Sequence, residues 1–242
     1  MAQAYDVESA SSEFNRKVGI HQPISIRHGF VKKVYGLMAA QLALTALIAF
    51  TVSTFASSIS PVILLPVIIL NAGLMIYLTC NFETLRQYPK NYIILGVLSL
   101  THGIMFGFMC SVAEPKLVLT AVGLTVFIVG GLSAFAMQTK YDFTSWSSYL
   151  FGAGLALVGC SFLFIFIRNV PVIRIFFACA FLVLFCLYLV YDTQLIMGAG
   201  TPGKERKFEL EIDDYAAGAL MLYLDIVNIF SLILQLLMQM KD

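Results

Sequence analysis

Apolar residues fill long blocks of the chain, and charged residues lie mostly in the intervals between these blocks. Residues 34–82 form a stretch of 49 positions without Asp, Glu, Lys or Arg, about twice the roughly 20 residues that a helix needs to cross a bilayer. A polar sequence at 57–61 divides this stretch into two. Further uncharged runs of 23, 23 and 25 residues follow, at 91–113, 117–139 and 143–167.

Two more apolar segments, 172–197 and 215–240, complete the pattern, and each has one acidic residue in its interior. Six of the seven prolines fall in the N-terminal segment or between the blocks, where a helix has ended and a missing backbone donor costs little. The pattern therefore predicts seven membrane-spanning helices, joined by short connections and one longer loop at 198–214.

The composition indicates a chain that is solvated mainly by lipid. Of its 242 residues, 60% are hydrophobic and 12% are charged, with a mean hydropathy of +0.87, whereas a soluble domain has about 25% charged residues. We predict an all-α integral membrane protein in which residues 1–30 form a polar, flexible cytosolic tail and residues 31–242 form a single seven-helix domain. No soluble catalytic domain fits, and no nucleic-acid partner is expected.

The basic residues predict the orientation of the helices, because positively charged short loops stay on the cytosolic side. With a cytosolic N-terminus, eleven of the fifteen Lys and Arg residues fall on the inner side and four on the outer side. The first 28 residues are polar and have no apolar core of a signal peptide. We therefore expect the N-terminus in the cytosol and, after seven spans, the C-terminus on the opposite side.

Two carboxylates lie inside the predicted spans, Asp192 in the sixth and Asp225 in the seventh. An aspartate at the centre of a membrane helix costs about 2.5–3.5 kcal/mol on insertion scales, so it indicates a function and needs a partner. The two spans are consecutive and run antiparallel. At 1.5 Å per residue, the aspartates lie about 8 Å and about 15 Å from the inner ends of their helices, so the two carboxylates can meet.

Two carboxylates in one site removed from water cannot both ionise cheaply, so they would titrate as a unit. In the protonated state a hydrogen bond would join the two helices. In the ionised state the carboxylates would repel each other or bind a cation, and their oxygens suit Ca²⁺. The alternative is that each aspartate separately caps a backbone group or meets a lysine.

Other polar residues of the spans are candidates for the same interior. One face of the seventh helix is polar, so we expect this helix to be central and to line a cavity or pore; the face consists of Gly218, Met221, Asp225, Asn228, Leu232, Gln235 and Gln239. Gln41, Asn71 and His102 are weaker candidates, since a single membrane histidine is more often a packing residue than a ligand. Arg86, beyond the second span, either pairs with Asp192 or is solvated in its loop.

Small residues recur at helical spacing in two spans, which predicts close helix packing there. The positions are Gly96, Gly103 and Gly107 in the third span, and Gly152, Ala156 and Gly159 in the fifth.

Several motifs closely resemble those of the transmembrane Bax inhibitor motif family, nearest to its lifeguard and Golgi anti-apoptotic branch. They occur in order between about residue 27 and residue 237, and the last of them is specific. The motifs are FVKKVY at 30–35, QL at 41–42, QTKYDF at 138–143, YDT at 191–193, DY at 214–215 and LYLDIVNIF at 222–230.

The resemblance implies a seven-helix protein with a central last helix, which lowers stored Ca²⁺ through a pH-sensitive leak and protects cells against apoptosis. The family's two functional aspartates correspond to Asp192 and Asp225. Some members carry an acid where Asn71 stands and a basic residue where Phe82 stands, one turn before Arg86, which disfavours a simple latch between Arg86 and the sixth span. The lysine-rich C-terminal tail of the Bax inhibitor branch is absent from this sequence.

The resulting hypothesis is a Ca²⁺-permeable leak channel of the endoplasmic reticulum or Golgi membrane, gated by Asp192 and Asp225, which would also be its Ca²⁺ ligands. Asn228, Arg86, Asn71 and His102 are candidate pore or latch partners. We expect no enzyme activity and no cofactor; the expected partners are the bilayer, Ca²⁺, protons and apoptosis-regulating membrane proteins. The C-terminus has no retention motif, so location in the plasma membrane or in another membrane is an alternative.

Two alternatives belong to other functional classes. The first is a non-conducting regulator that acts through protein partners, with aspartates that serve only stability. The second is an intramembrane aspartyl protease, because Tyr191-Asp192 and Asp225 in the next helix imitate the catalytic pair of such enzymes. Those enzymes have Gly-x-Gly-Asp as their second motif, whereas Leu222-Tyr223-Leu224 precedes the second aspartate of this chain.

Overall fold

The computed structural model describes residues 24–164, 171–198 and 209–241. These ranges contain seven α-helices and no β-strand. The helices are α1 (Ile24–Phe55), α2 (Leu64–Cys80), α3 (Lys90–Val112), α4 (Pro115–Gln138), α5 (Ser147–Phe164), α6 (Pro171–Met197) and α7 (Tyr215–Gln239). Short 3-10 turns occupy the connections at Ala56–Ser58, Pro61–Ile63, Phe82–Arg86, Phe143–Trp146 and Ile212–Asp214.

The predicted all-α, multi-pass architecture is confirmed. Among the described residues, six helices are long and apolar enough to cross a membrane. The other, α5, has 18 residues, and the end of its uncharged run at 165–167 lies outside the described ranges. The helix positions follow the charge map closely, because each uncharged run is long enough for one span and ends at polar or proline-containing connections.

The central position predicted for the last helix is also confirmed. Helix α7 contacts α1, α3, α4 and α6, and about half of its residues are buried. Its largest fully buried side chains are Tyr223, Leu222, Ile229 and Leu234. On the polar face of α7, Gly218 and Asp225 of the inner half are buried, whereas Gln235 of the outer half is exposed.

The first helix begins at Ile24, inside the segment that was expected to be a tail, while residues 1–23 lie outside the described ranges. Arg27 and Phe30 of this first part are buried. The guanidinium group of Arg27 donates hydrogen bonds to the carbonyl oxygens of Leu195 (2.9 Å) and Leu210 (2.7 Å). Leu195 and Leu210 lie on either side of the loop that joins α6 to α7. The hydrogen bonds of Arg27 therefore attach both ends of that loop to α1.

Close packing at the predicted small residues is present at two glycines of α3 and absent at the other predicted glycines. A Cβ atom at Gly103 would lie 2.7 Å from Ile48 Cβ, and one at Gly107 would lie 2.5 Å from Val52 Cβ. The absence of a side chain at both glycines therefore allows α1 to approach α3 closely. Within the described ranges, no atom comes within 4 Å of such a Cβ at Gly96, Gly152 or Gly159. In α5 it is Gly154 that packs closely, with its Cβ position 2.9 Å from Tyr188 Oη of α6. The prediction of close packing is thus right for Gly103 and Gly107 and wrong for the other three glycines.

Replacing Gly107 by Ala is expected to destabilise the protein by about 1–3 kcal/mol, the usual cost of overpacking. The added methyl group would meet the branched carbon of Val52, which cannot move without displacing α1. Gly159→Ala is the matched control and should be neutral or slightly stabilising, because Ala favours a helix by about 1 kcal/mol over Gly. Apparent melting temperatures in detergent provide the comparison, and equal losses in the two variants would contradict this packing.

Candidate functional site

The carboxyl groups of Asp192 and Asp225 lie together at the contact between α6 and α7. Their relative exposures are 6% and 4%, and the two groups are within hydrogen-bonding reach of each other. An ionised carboxylate only accepts hydrogen bonds, so a bond between two of them requires a proton on one. The site can therefore exist in a hydrogen-bonded, singly protonated form and in a fully ionised, repulsive form.

The inner end of α6 is fixed by Gln194, which is fully buried two residues after Asp192. Its Oε1 accepts a hydrogen bond from Phe143 N (2.8 Å), and its Nε2 donates to the carbonyl oxygens of Tyr141 (3.0 Å) and Ala136 (3.4 Å). Helix α6 is thereby anchored to the connection between α4 and α5. Gln194 is not among the site residues predicted from the sequence, although a glutamine directly after the YDT motif of an apolar helix is a visible signal.

Arg86 pairs with Asp214, not with Asp192. Its Nε donates to Asp214 Oδ1 (2.7 Å), while its Nη2 donates to Asp214 Oδ2 (3.0 Å) and to Glu211 Oε2 (3.1 Å). The hydrogen bonds that Arg86 donates to the Asp214 carboxylate raise the pKa of the arginine above its ordinary value, so the arginine stays charged throughout the physiological range. The predicted alternatives, a latch to Asp192 or a solvated arginine, are both replaced by this pair.

Two further contacts hold the beginning of α7, next to the Arg86–Asp214 pair. Asn91 Nδ2 donates a hydrogen bond to the hydroxyl oxygen of Tyr215 (2.9 Å), and Lys33 Nζ lies 3.4 Å from the centre of the Tyr215 ring. Helices α1 and α3 and the connection after α2 thus all attach to the same end of α7. The position of this helix end depends on charges that come from distant parts of the sequence.

Asn71, His102 and Asn228 line a cavity of about 680 Å³ between α2, α3 and the second half of α7. The remaining lining residues are Met105, Phe106, Met109, Ser231, Gln235, Met238 and Gln239. The lining includes neither Asp192 nor Asp225. The candidate pore residues therefore form a neutral polar cavity that is distinct from the carboxylate pair.

Hydrogen bonds orient the polar side chains of this cavity. Asn71 Nδ2 donates to Thr101 Oγ1 (2.9 Å) and lies 3.3 Å from His102 Nδ1, while that ring nitrogen lies 2.9 Å from the carbonyl oxygen of Leu98. Asn228 Nδ2 donates to the carbonyl oxygen of Leu224 at 2.7 Å. The histidine is thus a hydrogen-bonded member of a cavity wall.

Tyr223 borders the cavity wall and is fully buried. Its ring packs edge-on against the His102 ring at 5.6 Å, and its hydroxyl group shares a hydrogen bond with Thr45 Oγ1 at 2.8 Å. Tyr223 precedes Asp225 by two residues in α7, whereas the cavity-lining residues of this helix all follow Asp225. The tyrosine therefore attaches α7 to α1 and to the His102 side of α3.

No cluster of three or more His, Cys, Asp or Glu residues suited to a metal ion occurs in the parts of the chain that the structure describes. The carboxylate pair supplies at most four oxygen ligands, whereas Ca²⁺ takes six to eight. Ca²⁺ binding at Asp192 and Asp225 would thus need neutral oxygens or water as additional ligands.

Comparison with known proteins gives a consistent family match. The model of the family described as Inhibitor of apoptosis-promoting Bax1 matches residues 27–242. Protein lifeguard 3 of Homo sapiens is 28% identical over 242 residues, covering 96% of this chain and 76% of the relative. Protein LIFEGUARD 3 of Arabidopsis thaliana is 31% identical over 228 residues, with coverages of 90% and 87%. Bax inhibitor 1 of Schizosaccharomyces pombe is 30% identical over 226 residues, with coverages of 90% and 79%.

Proposed function

The chain belongs to the family of inhibitors of apoptosis-promoting Bax1, and on that premise we propose that it is a pH-sensitive, Ca²⁺-permeable leak channel that protects cells against apoptosis. The protein is a multi-pass integral membrane protein. Our proposal assigns it to the endoplasmic reticulum or Golgi membrane, where a leak would lower stored Ca²⁺. Ca²⁺ is its transported ion and the proton its regulator, and the proposal includes neither a cofactor nor a catalytic reaction.

The observation that carries this proposal is the carboxylate pair between α6 and α7. Each aspartate is at least nine-tenths buried, and the two carboxyl groups are within hydrogen-bonding reach. The singly protonated pair holds the two helices together, and the fully ionised pair separates them or attracts a cation. A change in pH therefore acts on the contact between two spans, which is where a gate must act.

The neutral cavity along the second half of α7 supports the same proposal. It provides amide, hydroxyl and imidazole groups to a hydrated ion at the end of the helix that is opposite to the Arg86–Asp214 pair. Since its lining carries no carboxylate, it would not trap a divalent cation. We propose that it is the outer vestibule of the leak, with the aspartates as the gate beneath it.

The experiment that tests this function is Ca²⁺ flux into proteoliposomes that contain the purified full-length protein, measured with an internal Ca²⁺ indicator across a pH series. We expect flux above that of protein-free liposomes, and we expect it to rise as the pair loses its proton with increasing pH. A flux equal to that of empty liposomes at every pH would reject the channel proposal.

A non-conducting regulator is the second candidate, and the separation of the carboxylate pair from the polar cavity favours it. The residues that line the cavity include neither Asp192 nor Asp225. Such a protein would act through apoptosis-regulating membrane partners, and the aspartates would stabilise the fold. Cell protection without any liposome flux would support this candidate.

An intramembrane aspartyl protease is a weaker candidate that rests on the closeness of the two carboxyl groups. We propose that the protein is not a protease, because its sequence lacks the Gly-x-Gly-Asp motif of those enzymes. Incubation of the purified protein with transmembrane substrates tests this point, and cleavage that depends on both Asp192 and Asp225 would overturn it.

A further inference from the structure

A groove of about 230 Å³ lies between α5, α6 and α7 at the outer end of the bundle, which is the end opposite to the Arg86–Asp214 pair. Helices α5 and α7 each pack against α6, whereas contacts between α5 and α7 are few if any. One face of α6 is therefore left open between its two neighbours. The lining of the groove includes Ser161, Arg174, Phe177, Phe181, Leu232 and Gln235.

Two polar side chains of the groove lie at the same depth, near the outer ends of their helices. Arg174 is three residues from the beginning of α6 and Gln235 is four residues from the end of α7, which corresponds to about 4.5 Å and about 6 Å along the helix axes. Helix α6 has 27 residues, so it is about 40 Å long and exceeds the hydrocarbon core of a bilayer by about 5 Å at each end. Arg174 and Gln235 therefore lie at the boundary between hydrocarbon and headgroups.

Apolar side chains continue the groove toward the middle of the membrane. Phe177 and Phe181 follow Arg174 on one face of α6, at spacings of three and seven residues, and Leu232 precedes Gln235 by three residues in α7. The three apolar residues lie about 9–15 Å from the outer ends of their helices. The groove is thus polar at its rim and apolar below it. A glycerophospholipid has the same order of groups, with its phosphate and ester oxygens above its acyl chains.

The rim of the groove has a positive charge that no carboxylate of the described residues neutralises. Glu114 is the one carboxylate at the outer end within the described ranges, and it pairs with Lys241. The side chain of Arg174 is exposed, and the lining of the groove contains no acidic residue. A guanidinium group binds a phosphate through two parallel hydrogen bonds. The rim therefore favours an anionic group such as a phosphate.

The hydrogen-bond donors of the rim are Arg174 and Gln235. The hydroxyl group of Ser161 already donates to the carbonyl oxygen of Val158 at 2.6 Å, so it has no proton left for a ligand. The guanidinium group has five N–H donors and the amide group of Gln235 has two. Phosphate and ester oxygens are acceptors only, so they match both side chains.

We propose that this groove binds one glycerophospholipid, with its phosphate on the guanidinium group of Arg174 and an acyl chain along Phe177 and Phe181. The amide group of Gln235 donates a hydrogen bond to an oxygen of the same lipid. Because Gln235 also lines the neutral cavity, the bound lipid forms part of the boundary between that cavity and the membrane. The inference is independent of the proposed function, since it requires neither Ca²⁺ flux nor the carboxylate pair.

The test measures stabilisation of the purified full-length protein in dodecyl maltoside, as the rise in apparent melting temperature during a titration with dioleoylphosphatidylcholine. Arg174→Gln should melt like wild type without lipid and need at least about tenfold more lipid for half of the stabilisation, because it loses a charge-assisted hydrogen bond to the phosphate. Lys116→Gln is the matched control. Lys116 is also an exposed basic residue at the outer end, but it lines neither the groove nor the neutral cavity, so this variant should titrate like wild type.

Two partial ligands separate the contributions of the phosphate and of the chains. Dioleoylglycerol has the same chains without a phosphate, glycerol 3-phosphate has a phosphate without chains, and each should stabilise the wild type at least about tenfold less effectively than the phospholipid. Equal effectiveness of either one would overturn the inference and leave an apolar groove or a free-phosphate site.

Arg174→Gln and wild type with the same lipid requirement, or an equal loss in Lys116→Gln, would also overturn the inference and leave an interface arginine among bulk headgroups. If Arg174→Gln does not fold, Arg174→Lys decides the question. It keeps the charge but loses the planar fork, so an unchanged lipid requirement would again overturn the inference. Failure of the proposed function appears in the liposome flux alone and leaves these titrations unchanged.

Discussion

Replacing Asp225 by Asn is expected to abolish the pH dependence of Ca²⁺ flux. An asparagine has nearly the shape of a protonated aspartic acid, can donate a hydrogen bond to Asp192 and cannot ionise. The variant therefore keeps the closed, hydrogen-bonded contact between α6 and α7 at every pH. An equilibrium linked to one proton changes about tenfold per pH unit, so the wild-type flux should vary at least about tenfold between pH 5.5 and pH 8.

The flux of Asp225→Asn should remain near its low-pH level throughout this series, and Asp192→Asn should behave in the same way because either substitution prevents full ionisation of the pair. Asp213→Asn is the matched control, since it makes the same change at an exposed carboxylate beside the start of α7. An unchanged pH response in both site variants would show that the pair does not gate the leak. Circular dichroism of each variant verifies that the helices are retained.

Replacing Arg86 by Ala is expected to destabilise the protein, because it leaves the buried carboxylate of Asp214 without its charged partner. Removing one member of a buried pair costs about 3–5 kcal/mol. Here the Arg86 side chain is 41% exposed, so water compensates in part and we expect about 2 kcal/mol. The free energy of unfolding in denaturant, measured in detergent, tests this value.

The double variant Arg86→Ala/Asp214→Asn should recover part of this loss, because it removes the unpaired charge together with its partner. Such non-additivity identifies a direct interaction. Lys90→Ala is the control, since the exposed Lys90 side chain donates a hydrogen bond to the exposed side chain of Gln87, and its effect should stay within about 0.5 kcal/mol. Additive effects of the two substitutions at Arg86 and Asp214 would contradict the described pair.

Helix α7 connects these predictions, because different parts of it carry different chemistry. Its beginning is held by Arg86 through Asp214, its inner half contributes Asp225 to the carboxylate pair, and its outer half lines the neutral cavity through Asn228. A shift of α7 relative to α6 would therefore change all of these contacts together. The gain or loss of one proton at the carboxylate pair could in this way act on the whole ion path along α7.

The sequence by itself determined the features that depend on local composition and on chain order. Uncharged runs of sufficient length had to form spans, since a helix satisfies its own backbone in lipid. The inner half of the polar face of the last span had to be buried, because Asp225 is costly against lipid. The nearness of Asp192 and Asp225 followed from their places in two consecutive antiparallel helices.

The tertiary structure decided which distant side chains meet, and the physical reason is that such contacts depend on the lateral arrangement of the helices. Charge patterns show that Arg86 lies near the inner surface, but only the packing of α7 against the connection after α2 gives it Asp214 as a partner. The glycines of α3 and α5 look alike in sequence, but only Gly103, Gly107 and Gly154 face another helix closely, whereas Gly96, Gly152 and Gly159 do not.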